Sequence, residues 1–324
     1  RDVLGSRGLG DVYKRQDIDW FKEAYKAIGK ERFEVVYNAA KYISLSNTHT
    51  RARKFADAVN GKTKAADAKK EIIAKRNKDL LMSYGLIPLG RKADKEFLAE
   101  GPKLVGDLLG HFPCQFLLAT SEWLSRNRPL STVTDVTEVS EEELSRASLL
   151  KTPQQVLAVF RQPDEETDIS VISHSLCLAL DDVQDPGNLG TIVRLADWFG
   201  IEHIFCSPNT VDIYNPKTVQ ATMGGIARVR LHYTPLPEFI RSLKDIPVYG
   251  TFLDGENMYG QPLSKNGLIV MGNEGNGIGK EVEALINRKL YIPNYPASRE
   301  TSESLNVAIA TAVVCAEFRR QAAL

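Results

Sequence analysis

Cysteine is scarce in this chain of 324 residues: Cys114, Cys177, Cys206 and Cys315 are the only four. None stands in a C-x-x-C pair, which excludes a dithiol redox motif and the spacings of zinc ribbons or fingers. No grouping suggests a metal site. Three of the four sit in apolar runs and are expected as buried thiols, which fits a reducing cytoplasm. Long apolar runs are also missing, and without 18 or more consecutive apolar residues there is no candidate membrane helix. Residues Arg1 to Gln16 carry no apolar segment of the kind a secretory signal requires. Net charge is absent too, with 41 Lys and Arg against 41 Asp and Glu. Its distribution is uneven. Residues 1–90 hold 19 basic against 11 acidic residues, and residues 91–324 hold 22 against 30. A polyanion partner would therefore need a local basic patch in the C-terminal part.

What is present is enough chain for two ordinary domains, with a globular composition of 43% hydrophobic and 25% charged residues. Residues 1–16 show neither helical nor strand periodicity and resemble translated vector or adaptor sequence, a non-native leader. Residues 17–90 are helical in pattern, from Trp20, Phe21, Ala24, Tyr25 and Ile28 onward. Around RNKDLLMSYGLIPL this block resembles a helical segment of large bacterial proteins of unknown function. It is read as a fused or foreign piece, with a basic RNA-binding arm as the other reading. Residues 91–165 form a small α/β unit with strands at Phe97–Ala99, Phe116–Ala119, Val133–Val139 and VLAVF, and helices at 101–109 and 141–148. A charged stretch, 161–168, reads as a linker.

From residue 171 to 324, apolar strands alternate with helices. The strands are expected at 176–180, 203–206, 229–232, 248–253, 268–271 and 290–292. The helices are expected at 189–199, 216–223, 237–243, 280–287 and 304–320. Strands apolar throughout imply a parallel sheet covered on both faces. Ligands of such sheets bind beyond the C-terminal strand ends, so three loops there attract the chemistry. The first, Asp181 to Gly190, holds a Pro186–Gly187 turn, Asn188 at a helix N-cap position and, further on, Arg194. A turn, a cap and a surface arginine would explain it equally well. The second, Met271 to Gly279, has four glycines, which permit close backbone approach to a ligand. It matches neither the P-loop nor G-x-G-x-x-G, and Glu274 argues against a bound phosphate. A long glycine-rich turn is the alternative, but polarity directly after a buried strand favours a ligand loop. The third runs from Ile292 to Ala310. Ser304 would cap its helix, and Asn306 falls in the first turn. Between Leu305 and Phe318 that helix is apolar nearly all round, as burial in a dimer interface would require.

Together the phrases NLGTIVR, LIVMGNEGNGIG and IP…SLNVAIATAVV resemble the three signature motifs of the SpoU (TrmH) family of the SPOUT superfamily. FLAEGPKLVGDLL and LLKTPQQVLAVF are similar to the substrate-binding domain that often precedes it. One departure is the polar segment NYPASRETSE, which lacks the glycine usual in the third motif. The resemblance implies a trefoil-knotted α/β methyltransferase domain over residues 171–324. It implies S-adenosylmethionine held mostly by backbone at Leu253, Met271, Gly272, Gly275, Ile292, Ser304 and Leu305. The reaction implied is methyl transfer to a ribose 2′-hydroxyl of RNA, with rRNA expected over tRNA. Arg194 would be central. A guanidinium is implausible as a base, since its pKa exceeds ~12, but it fits RNA phosphate oxygens bidentately. Asn188, Glu274, Ser304 and Asn306 would orient the reacting groups. A homodimer would set Arg194 against the partner's cofactor, and Lys103 and Lys151 would touch RNA. Two other readings stand beside this one. A noncatalytic RNA-binding protein of the same fold would bind cofactor without transfer. An α/β enzyme for a small nucleotide-like substrate would turn over without RNA.

Overall fold

The structure, a computed structural model, describes residues 95–127, 133, 135–150, 152–164, 169–296 and 304–323. The expected leader 1–16, the helical block 17–90 and Lys151 lie outside the described residues. Two sheets belong to one compact unit. Among the described residues no helix is long and apolar enough to cross a membrane.

The first sheet has the order β1-β4-β2-β3, with β1 at Glu96–Glu100, β2 at Cys114–Ala119, β3 at Val136–Glu138 and β4 at Val156–Arg161. β4 runs antiparallel to both neighbours, while β2 and β3 are parallel. The predicted third strand shrinks to three residues, with Val133 left as an isolated bridge to Cys114. Helix α1 (Pro102–Leu108) buries Leu104, Val105 and Leu108. A short helix that the periodicity did not show, α2 (Ser121–Arg126), starts where Thr120 accepts a hydrogen bond from Trp123 N. Helix α3 spans Glu141–Ala147.

The second sheet is six-stranded and parallel throughout, in the order β10-β8-β9-β5-β6-β7. Its strands are β5 (Leu176–Leu180), β6 (His203–Cys206), β7 (Arg230–Tyr233), β8 (Val248–Asn257), β9 (Gly267–Met271) and β10 (Arg288–Tyr291). β5, β6 and β9 are buried at every residue, as strands covered on both faces must be. The chain builds outward from β5 through β6 to β7. It then crosses over and lays β9 between β8 and β5. That reversal pairs Leu180 with Met271, so the loops leaving β5 and β9 are side by side.

Helix α4 (Pro186–Trp198) follows β5 and buries Leu189, Ile192, Val193 and Ala196. Gly190 lets α4 cross α5 (Pro216–Thr222) closely. A Cβ there would overlap Ala221 Cβ and stand 2.7 Å from Thr218 O. Helix α6 (Leu236–Ser242) precedes β8. Helix α7 covers only Lys280–Glu283, shorter than expected, because the chain leaves it through a turn in which Ile286 N donates to Glu283 O. The last helix, α8 (Val307–Ala322), fastens to the end of α4: Arg319 donates to Phe199 O at 2.6 Å and to Gly200 O at 2.8 Å. All four cysteines are free and buried. Burial pushes the thiols of Cys114 and Cys177 up to about 11 and that of Cys315 to about 12.

Candidate functional site

The three loops singled out by sequence meet at the C-terminal ends of β5, β9 and β10, and hydrogen bonds join them. Asp185, not Asn188, caps α4: its carboxylate accepts from Asn188 N at 2.8 Å. Pro186 and Gly187 belong to the first helical turn rather than to a preceding turn. Proline at the first helical position directly after an Asp was the signal for this register. Asn188, one turn in, is thereby freed to point its amide elsewhere. Its Nδ2 donates to Glu274 Oε1 at 3.0 Å, and its Oδ1 accepts from Asn306 Nδ2 at 3.0 Å.

Asn306, not Ser304, caps α8. Its Oδ1 accepts from Ala308 N and Ile309 N at 3.0 and 3.2 Å. That pairing fixes the amide, since an oxygen committed to the helix end leaves the NH2 facing Asn188. Glu274 closes the relay as an acceptor. Besides Asn188 it takes longer bonds, both 3.4 Å, from Gln184 N and Asp185 N. The sequence Asn306, Asn188, Glu274 thus runs donor to acceptor in one direction and ties the three motifs together.

The glycine loop is shaped from within. Asn273 and Gly277 exchange two backbone bonds, and Asn273 Oδ1 accepts from Gly275 N and Asn276 N at 2.9 and 3.0 Å. Asn273 Nδ2 reaches Asp182 O at 2.7 Å. A Cβ on Gly272 would overlap the backbone of Gly277 and Ile278. Gly272 is therefore needed for the loop to close on itself, a packing reason distinct from ligand approach. Asp181 accepts from Gly279 N at 2.7 Å, and burial pushes its carboxyl above the ordinary range. Asp182 has φ 58 and holds Ser207 Oγ at 2.6 Å. Asn273, Asp181 and Asp182 position both loops and were not among the candidates, although the two acidic residues directly after a buried strand were a usable signal.

The other candidates are distributed as follows. Between β8 and β10 the register jumps: Lys289 faces Gly250 and the next residue, Leu290, faces Glu256. The intervening residues of β8 bulge out and leave Leu253 76% exposed. Met271 and Ile292 stand at the C-terminal ends of β9 and β10, and Leu253 lies in the bulged middle of β8, the strand between them. Leu305 is 49% exposed, and Ser304 is exposed beside it. A Cβ on Gly275 would find only Asn273 Oδ1, at 3.6 Å. Arg194 lies on the solvent face of α4, in line with Thr191 and with Trp198, which is 83% exposed. Its side chain makes no hydrogen bond or ion pair among the described residues, so it stands outside the relay. Lys103 is exposed on α1, away from the three loops in sequence and sheet.

The chain matches known proteins in both sequence and fold. Residues 175–316 match the SpoU rRNA Methylase family and residues 89–158 the MRM3-like substrate binding domain. The 23S rRNA (guanosine(2553)-2′-O)-methyltransferase RlmP of Bacillus subtilis is 31% identical over 232 residues, 71% of this chain and 90% of that one. The chain belongs to the SpoU rRNA methylase family. Among solved structures, a TrmH-family protein from Porphyromonas gingivalis is 40% identical, with a TM-score of 0.67 over 76% of this chain and 98% of its own. An AdoMet-bound rRNA methyltransferase from Sinorhizobium meliloti is 29% identical, with a TM-score of 0.64 over 76% and 94%. Residues 16–100 match a family of unknown function (DUF5724). In this SpoU-family chain the three relay-bearing loops all fall within the matched residues 175–316.

Proposed function

We propose that this SpoU-family chain methylates a ribose 2′-hydroxyl of ribosomal RNA, using S-adenosylmethionine, in the cytoplasm. The single observation that carries the reading is the relay Asn306–Asn188–Glu274, which joins all three family motifs beyond the strand ends. The residues present also fit the cofactor. Adenosine and methionine groups ask for apolar walls and open backbone. Leu253, Ile292 and Leu305 would supply walls, the buried Met271 could offer only its backbone, Gly275 leaves open space, and the charged group in the relay is the carboxylate of Glu274. Bound there, S-adenosylmethionine supplies an electrophilic methyl group.

The chain's own residues then have three tasks. Leu253, Met271, Gly272, Gly275, Ile292, Ser304 and Leu305 would hold the cofactor. Asn188, Glu274, Ser304 and Asn306 would keep the loops and the ribose in line for attack, since alignment supplies much of the barrier reduction in such a displacement. Arg194 would hold the phosphate beside the attacking oxygen through a bidentate guanidinium contact, with Lys103 and Lys151 touching RNA further out.

The proposed active unit is a homodimer. Support comes from exposed apolar side chains: Trp198 on α4, Ile309 on α8 and Leu305 just before it all stand in solvent in the single chain. Pairing two such surfaces would bring the unpartnered Arg194 to a second copy's cofactor loops. The trefoil knot implied by the motifs is part of the same proposal. Its support is the anchoring of Gln321, near the end of α8, to Leu263 N and Gln261 O.

The test is tritiated methyl transfer from S-adenosylmethionine to unmodified bacterial rRNA, with wild type beside Arg194→Ala. Label in the wild type and a loss of about 100-fold or more in the variant, with cofactor affinity kept, is the expected result. Equal labelling by both proteins would overturn the role given to Arg194. No label from a folded dimer that binds cofactor would overturn the enzyme reading.

A further inference from the structure

We propose that Tyr214 is a positioning residue that sets the small β1–β4 sheet at a fixed place relative to the methyl-transfer loops. The proposal rests on the methyl-transfer reading for its RNA readout, but the joint itself is geometric.

Tyr214 ends the loop that leaves β6. Its ring lies 5.0 Å from that of Phe97, on β1 of the other sheet. Phe97 in turn stacks on Phe160 of β4 at 5.5 Å and meets the edge of Phe112 at 5.1 Å. One aromatic ring from the large sheet is therefore set into an aromatic floor on the small one. Such contacts hold a defined geometry, because rings prefer tilted and offset arrangements to free sliding.

The loop behind Tyr214 is pinned to the active-site side. Asp182 N donates to Ser207 Oγ at 2.8 Å, and Ser207 Oγ donates back to Asp182 Oδ1. Thr210 Oγ1 donates to Leu180 O at 3.1 Å, and Val211 N donates to Val183 O at 2.9 Å. The Tyr233 hydroxyl clasps the loop's other end, accepting from Ile213 N and donating to Val211 O, both at 2.8 Å. Asp182 also receives Asn273 of the glycine loop. A displacement of the Tyr214 ring is thus transmitted through a short loop held by these bonds to the strand ends that carry both motifs.

A second joint braces the first. Gly224, at φ 94, follows α5 and touches α1 of the small domain; a Cβ there would be 2.6 Å from Asp107 Oδ2. Four residues on, Arg228 grips Asp197 of α4 with two bonds of 2.7 Å. Asp197 lies one turn beyond Arg194, so both joints end on elements of the site. An enzyme built this way holds RNA bound to the small domain at one distance from the reacting centre, and selects RNA by that distance.

The experiment uses the full chain carrying Tyr214→Ala or Tyr214→Phe. Steady-state methylation of rRNA is measured together with S-adenosylmethionine affinity. Spin labels at Gly110→Cys and Lys265→Cys, in dimers diluted with unlabelled protein, report the distance between the two sheets. The buried native cysteines leave those two sites to the label. Tyr214→Ala is expected to lose about 10- to 100-fold in kcat/KM for RNA, the scale of an ångström-level misplacement. Its cofactor affinity should stay and its distance distribution should broaden. Tyr214→Phe, which keeps the ring, should restore both. A narrow, wild-type distribution in Tyr214→Ala overturns the proposal, as does wild-type kcat/KM. Loss of cofactor affinity in step with activity also overturns it, because the residue would then be merely structural. If the wild type transfers no methyl group, the function reading fails, and the distance distribution alone decides the joint.

Discussion

Asn306 does two jobs that a single substitution can separate. Its Oδ1 caps α8, and its Nδ2 donates to Asn188. Asn306→Ala removes both. Losing the cap costs about 1 kcal/mol, within a range of about 0.5–2. For a unit of this size that lowers Tm by roughly 2–4 °C per kcal/mol. Asn306→Asp keeps the cap, because aspartate caps as well as asparagine and its charge favours a helix N-terminus. It deletes the donor, however, and sets a carboxylate against Asn188 Oδ1. The Asn188 amide must then flip, and its oxygen turns toward Glu274. One of the two bonds of the relay becomes a repulsion whichever way the amide lies. Thermal unfolding and methyl transfer, measured on the same preparations, distinguish the two jobs. The expected pattern is a lowered Tm for Asn306→Ala and a near-wild-type Tm for Asn306→Asp. Both variants should lose about 10- to 100-fold in kcat, the range for misaligned reacting groups. An Asn306→Asp enzyme with the wild-type kcat would refute the argument that the relay aligns the site.

Two further outcomes follow from the packing. Gly190→Ala drives a methyl group into Ala221 and toward Thr218 O, and should destabilise by about 1–3 kcal/mol, read as a lower urea midpoint. His232, fully enclosed beside His203 at 3.0 Å, is lowered by burial, and then by the charges of His203 and Arg230, from 6.5 to about 4. Its folded value lies below its unfolded one, so the unfolded state binds the extra proton first. Stability is thus full above about pH 6.5 and falls as pH drops toward about 4, by about 3 kcal/mol in all. Replacing the imidazole by His232→Gln should flatten that slope in urea titrations between those pH values. An unchanged slope would place the acid sensitivity elsewhere.

The second sheet was legible because its strands announce themselves. LCLAL, HIFC and GLIVM are apolar at nearly every position, and only burial on both faces tolerates that. The order of those strands was not legible from pattern. Nothing in GLIVM says that it enters between β8 and β5, since that choice is set by how the crossovers cover the sheet. The motif loops were visible as polar, glycine-rich interruptions after buried strands. Their helix registers were not, because capping residues compete locally. Asp185 and Asn188 both suit a cap, and Pro186 decides for the first by fixing the initial helical position. Ser304 and Asn306 compete likewise, and the longer apolar run after Asn306 wins. The short helix Ser121–Arg126 gave too few turns for any periodicity to register.

Tyr214 marks the limit of reading function along the chain. In sequence it is one aromatic residue in a polar loop, with no motif around it. Its meaning comes from Phe97, more than a hundred residues earlier, and from Asp182 and Tyr233 on either side of its loop. The acidic balance of residues 91–324 points the same way. A surface without net positive charge holds RNA weakly and nonspecific contacts weakly, so few cations must act at set positions. Arg194 on α4 and Lys103 on α1 sit on different sheets, and their separation has value for selection only if the sheets keep their places. The aromatic joint at Phe97 and Tyr214 and the contact of Gly224 with Asp107 supply that constraint. On this proposal, choice of RNA would depend on packing between the two sheets as much as on the charges proposed to touch the substrate.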